Sequence, residues 1–257
     1  MEFAYLSLTV NIKTVSEDAK RGVFEVEGLY AGYGLTIGNA LRRTLLSSLP
    51  GAAVTQIKIK NAPHEFSTLP GLKEDLVELS LNFKKLRFRM HIDEPQVLSL
   101  QVKGERVVSG ADIKTTSDVQ LINPEEVLAT LTSKDAELDI EVRVERGLGY
   151  SPVEARKEGR LTIGTIAIDA LFTPVHKVNY TVEDMRVGER TDYNRLRLEI
   201  ETDGTISPSS ALHKAANILK DHFDKISAVA VQEFEETKTA VASEAPKKRG
   251  RPKKQEA

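Results

Sequence analysis

The sequence predicts an α+β fold in which strands outnumber helices. Three observations carry this. Short stretches alternating apolar and polar residues recur along the chain, as in VTQIKIK (54–60) and ELDIEVRVERG (137–147). Three other stretches show helical spacing, at about 35–49, 72–86 and 208–235. The 257 residues include 40% hydrophobic side chains, enough core for one large domain or two small ones. Aromatics make up only 5% and Trp is absent, so that core is expected to be aliphatic.

Residues 3–12 and 21–29 (RGVFEVEGL) read as strands. Gly28, Gly32 and Gly34 punctuate the chain before the 35–49 helix, and Pro50-Gly51 ends it, with Gly51 placed for a left-handed cap. The strand at 54–60 and the helix LKEDLVELSLNFKKL (72–86) follow. Strands then dominate: LRFRMHI, VLSLQV, ELDIEVRVERG and GRLTIGTIAIDAL, then VHKVNYTVE and NRLRLEIETDG after Pro174. Asp203-Gly204 marks a turn.

Ser207 is placed to N-cap the longest helix, with Pro208 in its first turn. Leu212, Ala216, Leu219, Phe223, Ile226 and Ala230 alternate four and three residues apart, a heptad-like seam on a helix roughly 40 Å long. Such a helix either lies across its own sheet or pairs with a copy of itself. The narrow seam with two alanines favours the homodimer. After Thr237 the chain turns small, charged and proline-containing, a composition that buries no core and is expected to be disordered.

Charge and composition exclude several classes. The net charge is −2, but six positive side chains lie within residues 246–254, so the remainder carries −8. The body is therefore no obvious nucleic-acid binder, whereas the tail is a candidate. There is no Cys, which excludes disulfides and thiolate metal sites. No apolar stretch of 18 residues and no basic leader occur, so a cytoplasmic protein without a membrane span is expected.

The helix at 35–49 carries two adjacent arginines. At about 100° per residue, Ile37, Leu41 and Leu45 form one stripe, with Thr44 and Ser48 beside it. Arg43 faces away from that stripe with Asn39, while Arg42 lies on the flank nearer Leu46 and Leu49. A helix apolar on two sides with an arginine between them suits burial between two partners. The plainer alternative is two solvated surface arginines. Gly32-x-Gly34-x-x-x-Gly38 follows a strand and opens a helix, as a phosphate loop would, but the spacing is not that of a dinucleotide fingerprint. No ribose-binding acid and no Walker lysine accompany it. The five histidines (His64, His91, His176, His213, His222) lack metal spacing, and no nucleophile motif appears. A stand-alone enzyme is therefore disfavoured, and no catalytic, cofactor or metal residue is expected in this chain.

GNALRRTLLSSLPGAAVTQIKI, HEFSTLPGLKEDLVELSLNFKKL, RGLGY, TPVHKVNYTVE, RTDYNRLRLEIETDGTISP and ALHKAANIL occur in this order. Together they resemble the N-terminal domain of the α subunit of bacterial or plastid DNA-directed RNA polymerase, over about residues 5–230. The resemblance implies a dimerisation subdomain in two pieces (1–52 and 175–235), an inserted mostly-β subdomain (53–174) and a tail (236–257). It implies a non-catalytic scaffold that homodimerises, recruits the β subunit and then β′. Contact with β would come from Arg42 and Arg43, with His64, Glu65 and Phe66 beside them. Contact with β′ would come from Val175, Asn179, Tyr180 and Arg195. Leu41, Leu45, Leu212, Leu219, Phe223 and Ile226 would line the dimer interface. Mg²⁺ and any Zn²⁺ of such an enzyme would belong to the large subunits.

Members of that family continue into a compact helical domain that reads A/T-rich DNA, which is expected to be absent here. In its place stands Lys247-Lys248-Arg249-Gly250-Arg251-Pro252-Lys253-Lys254. Arg249, Gly250, Arg251 and Pro252 resemble an AT-hook, in which an extended Arg-Gly-Arg lies along a narrow minor groove. The alternatives are a plain basic tail, or a stand-alone architectural DNA binder acting through this segment.

Overall fold

The computed structural model describes residues 9–156 and 164–229. The fold is α+β and mostly strands. Strands β1 (Asn11–Glu17) and β2 (Arg21–Leu29) lead into helix α1 (Tyr33–Ser47) and strand β3 (Pro50–Ile59). Helix α2 (Leu76–Lys84) precedes β4 (Phe88–Met90), β5 (Gln96–Lys103), β6 (Arg106–Ser109), β7 (Ile113–Lys114), β8 (Val119–Leu121) and β9 (Val127–Leu131). Then come β10 (Glu137–Leu148), β11 (Tyr150–Ser151), β12 (Thr165–Ala167) and β13 (Ala170–Leu171). The long hairpin β14 (Val175–Val187) and β15 (Arg190–Thr202) leads to helix α3 (Pro208–Ser227).

Two antiparallel sheets hold eleven of these strands, and β6-β9 and β11-β13 form two-stranded sheets of their own. A four-stranded sheet runs β1-β2-β15-β14, so its strands come from the two ends of the described chain. A seven-stranded sheet runs β7-β5-β10-β3-β4-β8, with β12 also paired to β3. Each has its own aliphatic core. Phe24, Leu45, Leu196, Leu198 and Ile200 lie between the four-stranded sheet and helices α1 and α3. Ile57, Leu79, Phe83, Leu100 and Ile140 fill the core of the larger sheet beneath α2.

Helix α1 approaches its sheet closely because two of its residues lack side chains. A Cβ on Gly34 would fall 2.7 Å from Val182 Cγ1, and one on Gly38 2.8 Å from Leu196 Cδ1. The three glycines that mimic a phosphate loop are thereby explained by packing and by the left-handed N-cap at Gly32 (φ 84°). The expected left-handed cap at Gly51 does not occur. Ser48 closes the helix, and Gly51 lies in β3, where a Cβ would meet the Phe172 carbonyl oxygen at 1.8 Å.

The other two helices are shorter than their periodicity suggested. Asp75 caps α2, accepting from the Glu78 N–H at 2.6 Å. Residues before it pair with β9 instead: the Lys73 N–H donates to Thr130 O, and Glu74 Oε2 accepts from the Thr130 N–H. Helix α3 starts as expected, with Ser207 accepting from the Ser210 N–H and Pro208 in the first turn. Its face on the core carries Ala211 and Ala215, both 0% exposed; Ala216, assigned to the seam by spacing, is exposed. Ala230 lies outside the described residues.

Four strands between 106 and 131 carry too few residues to show periodicity. β1 begins at Asn11 and extends to Glu17, past the expected end at 12. It is an edge strand exposed along its length, so no burial pattern marks it.

Candidate functional site

Helix α1 buries Leu41, Thr44 and Leu45 against the four-stranded sheet and exposes Asn39, Arg42, Arg43 and Ser47. Its start is pinned by buried Asn194, whose Oδ1 accepts from the Gly32 N–H at 2.8 Å while its Nδ2 donates to Asp184 at 3.1 Å. Among the described residues neither the Arg42 nor the Arg43 guanidinium has a hydrogen-bond or ion-pair partner. Leu46 is half-buried against the chain's own core, so it is not the second apolar side that would enclose Arg43. Arg43 lies instead on the wall of a groove of about 790 Å³ lined also by Leu35, Asn39, Ala40, Tyr180 and Leu219. The groove therefore joins the α1 arginine to the α3 seam.

The remaining expected contact residues divide by exposure. His64, Glu65 and Phe66 all stand in solvent on a turn where the Ser67 N–H and hydroxyl donate to His64 O. Val175 is 1% exposed and belongs to the core, so its side chain is not presented to a partner. It opens β14, where a register shift between Val175 and Lys177 turns it to the inner face with Val178. Asn179 is exposed and Tyr180 half-buried. Arg195 is held by its own sheet, 3.2 Å from Glu27 and 3.8 Å from Glu183. Lys13 Nζ lies 2.6 Å from Glu27 and, with Arg195 beside it, holds that carboxyl below its ordinary value.

Leu41 and Leu45 are buried inside this chain. Leu212 and Leu219 are half-buried, whereas Phe223 and Ile226 are 63% and 65% exposed. Helix α3 thus docks through its first half and stands free over its second. Arg249, Gly250, Arg251 and Pro252 lie outside the described residues.

Exposed apolar residues also occur where periodicity singled out none. Leu35 stands on the open face of α1, and Leu148 and Tyr150 flank Gly149 at the end of β10. Tyr150 neighbours Asp169, whose carboxyl is held below its ordinary value first by the Val153 N–H at 3.1 Å, then by Tyr150 and Lys84. The RGLGY stretch marked this place only as part of a resemblance. Among the described residues no group of three or more His, Asp or Glu is spaced to hold a metal, and no helix is long and apolar enough to cross a membrane.

The family described as the RNA polymerase Rpb3/RpoA insert domain matches residues 57–173. A DNA-directed RNA polymerase subunit alpha of Moorella thermoacetica is 51% identical over 205 residues, covering 80% of this chain and 65% of that protein. That of Symbiobacterium thermophilum is 50% identical over 215 residues, covering 83% of this chain and 68% of that protein. The chain belongs to the RNA polymerase α-subunit family. Its match spans about two thirds of the length of these curated relatives. In this α-family chain the insert match begins within β3 and ends just before β14, between the two halves of the four-stranded sheet.

Proposed function

We propose that the chain is a non-catalytic α subunit of DNA-directed RNA polymerase that homodimerises and then scaffolds the β and β′ subunits in the cytoplasm. The nucleotidyl transfer, with its Mg²⁺ and any Zn²⁺, belongs to the large subunits. The observation that carries this reading is the second half of α3: every residue from 221 to 227 is exposed, yet Phe223 and Ile226 are apolar, as is the exposed Val229 just beyond the helix. A helix with such a stripe buries it against another surface, and a symmetry-related α3 with the neighbouring α1 groove is the self-complementary choice. The Arg42 and Arg43 guanidinium groups, without a partner among the described residues, suit carboxylates or carbonyls of a large partner. Of the expected β′ contacts, Asn179 and Tyr180 offer side-chain surface, whereas Val175 does not. The test is stepwise reconstitution: light scattering should find a dimer, which should capture purified β and only then β′. A monomer, or a dimer that takes up neither subunit, refutes the scaffold.

The tail is proposed as a minor-groove hook that tethers the assembly to A/T-rich DNA, where even weak binding counts because tethering raises its local concentration. Fluorescence anisotropy of the full chain and a 1–237 truncation on A/T-rich and G/C-rich duplexes decides it. An A/T preference lost with the tail supports the hook. Equal, salt-sensitive binding to both reduces it to a basic tail. Loss of β capture on truncation would favour the stand-alone DNA binder.

A further inference from the structure

The end of β10 displays two apolar side chains that the fold does not use. Leu148 is 59% exposed and Tyr150 57%, on either side of Gly149 (φ 61°). Their outward direction is enforced from behind. The buried Phe172 ring occupies the space a Cβ on Gly147 would take, at 2.6 Å, and the Phe172 N–H donates to Gly149 O at 2.8 Å. Tyr150 is also held from the side: Lys84 Nζ lies 5.9 Å from its ring centroid and 3.6 Å from Asp169, which in turn neighbours the phenol. A rigid aromatic with one apolar face and a fixed polar end is the type of side chain that anchors protein interfaces.

The patch extends in two directions. Leu81, 54% exposed, lies three residues before Lys84 on α2, and Val77 lies one turn before that, so both share the helix face beside Tyr150. On the other side, Leu148 pairs with Pro50, and a Cβ on Gly149 would stand 3.9 Å from the Ser47 carbonyl oxygen. Ser47 is one turn beyond Arg43 and donates to its carbonyl oxygen at 2.8 Å. An apolar ridge therefore runs from the C-terminal end of α1 to α2, and the two arginines near that end have no carboxylate partner among the described residues. Lys84, the other cation on the ridge, is already engaged by Asp169. The complementary surface is aliphatic along the ridge and acidic at the α1 end.

We propose that Leu148, Tyr150 and Leu81 continue the Arg42–Arg43 face as one docking surface for the β subunit, with Tyr150 as its central anchor. This rests on the scaffold reading above. The full-length α dimer is titrated with purified β by biolayer interferometry. Tyr150→Ala and Leu148→Ser are each expected to weaken β binding tenfold or more with the dimer intact. Tyr150→Phe, which keeps the ring, should stay within about threefold of wild type. If Tyr150→Ala does not fold, as judged by its thermal transition, Leu148→Ser and Leu81→Ser carry the test.

Binding within twofold of wild type for Tyr150→Ala and Leu148→Ser, while Arg43→Ala is impaired, overturns the ridge and leaves the scaffold standing. Monomeric Tyr150→Ala would assign the ridge to a second copy, and loss of β′ uptake alone would assign it to β′; either overturns the proposal. A wild-type dimer that does not bind β overturns both readings.

Discussion

Arg43 presents its guanidinium beside a groove that Leu219 also lines, with no acceptor among the described residues. Two partners therefore compete for it, a β surface and a second α chain. Arg43→Ala is expected to leave the dimer intact and to weaken β capture about tenfold or more, the scale of losing one charged contact at an interface. A monomeric variant would move Arg43 into the dimer seam. Gly38 has a different role. A methyl there must displace Leu196 or the Tyr180 ring, so Gly38→Ala should cost about 1–3 kcal/mol in urea unfolding, although alanine is the better helix former. A gain in stability would show that α1 is free to lift from the sheet. The helical wheel placed Leu41 and Arg43 on opposite faces correctly, because that depends on 100° steps alone. It misjudged Leu46, because the chain covering a helix flank comes from elsewhere in the sequence: the Thr173 hydroxyl donates to Leu46 O.

Among the elements, α3 combines two environments in one helix. Its first half is packed through Ala211 and Ala215, and its second half carries Phe223 and Ile226 in the open. Phe223→Asp should dissociate the dimer by burying an unpaired carboxylate, with little change to the monomer because the position is solvated there. A variant that stays dimeric by light scattering refutes the seam. The outer face of the four-stranded sheet makes a pH prediction. Lys13, Glu27 and Arg195 bridge β1, β2 and β15, and Glu27 titrates below its ordinary 4.5 in the folded chain. Its contribution to stability is therefore complete above that value and is lost as pH falls through the lower folded value. Lys13→Ala brings the two values closer, so urea midpoints measured across pH 3–6 should decline less steeply below pH 4.5 than in wild type. An unchanged slope would mean that Arg195 alone holds the carboxylate.

Across the whole molecule, the two cores meet at the turn that launches α3. Arg89, on β4 of the large sheet, donates from Nε to Thr205 O at 2.8 Å, and Arg87 lies 3.9 Å from the partly buried Asp203. Asp203 accepts from both the Thr205 N–H and its hydroxyl. Arg89→Ala should cost about 1–3 kcal/mol by leaving carbonyls under-bonded in a partly buried turn. Hydrogen exchange should then rise at the first amides of α3, while β3 and β10 stay protected. Uniform loosening of both sheets would show instead that the cores unfold as one unit.

Periodicity alone determined the α+β class, the longer strands of the large sheet and the long hairpin, and the places of all three helices. Each depends on local steps of 2.0 or 3.6 residues, which a linear sequence records directly. Composition alone separated the basic tail from the acidic body. Only the tertiary structure decided where the helices stop, which glycines serve packing and which expected contact residues remain available. Val175, Leu41 and Leu45 belong to the chain's own core, while Phe223, Ile226, Leu148 and Tyr150 do not. Whether a side chain is buried depends on what segments distant in sequence lay across it. Phe172 behind Gly147 and Asn194 at the start of α1 act over separations of 25 and 162 residues, which no local period encodes.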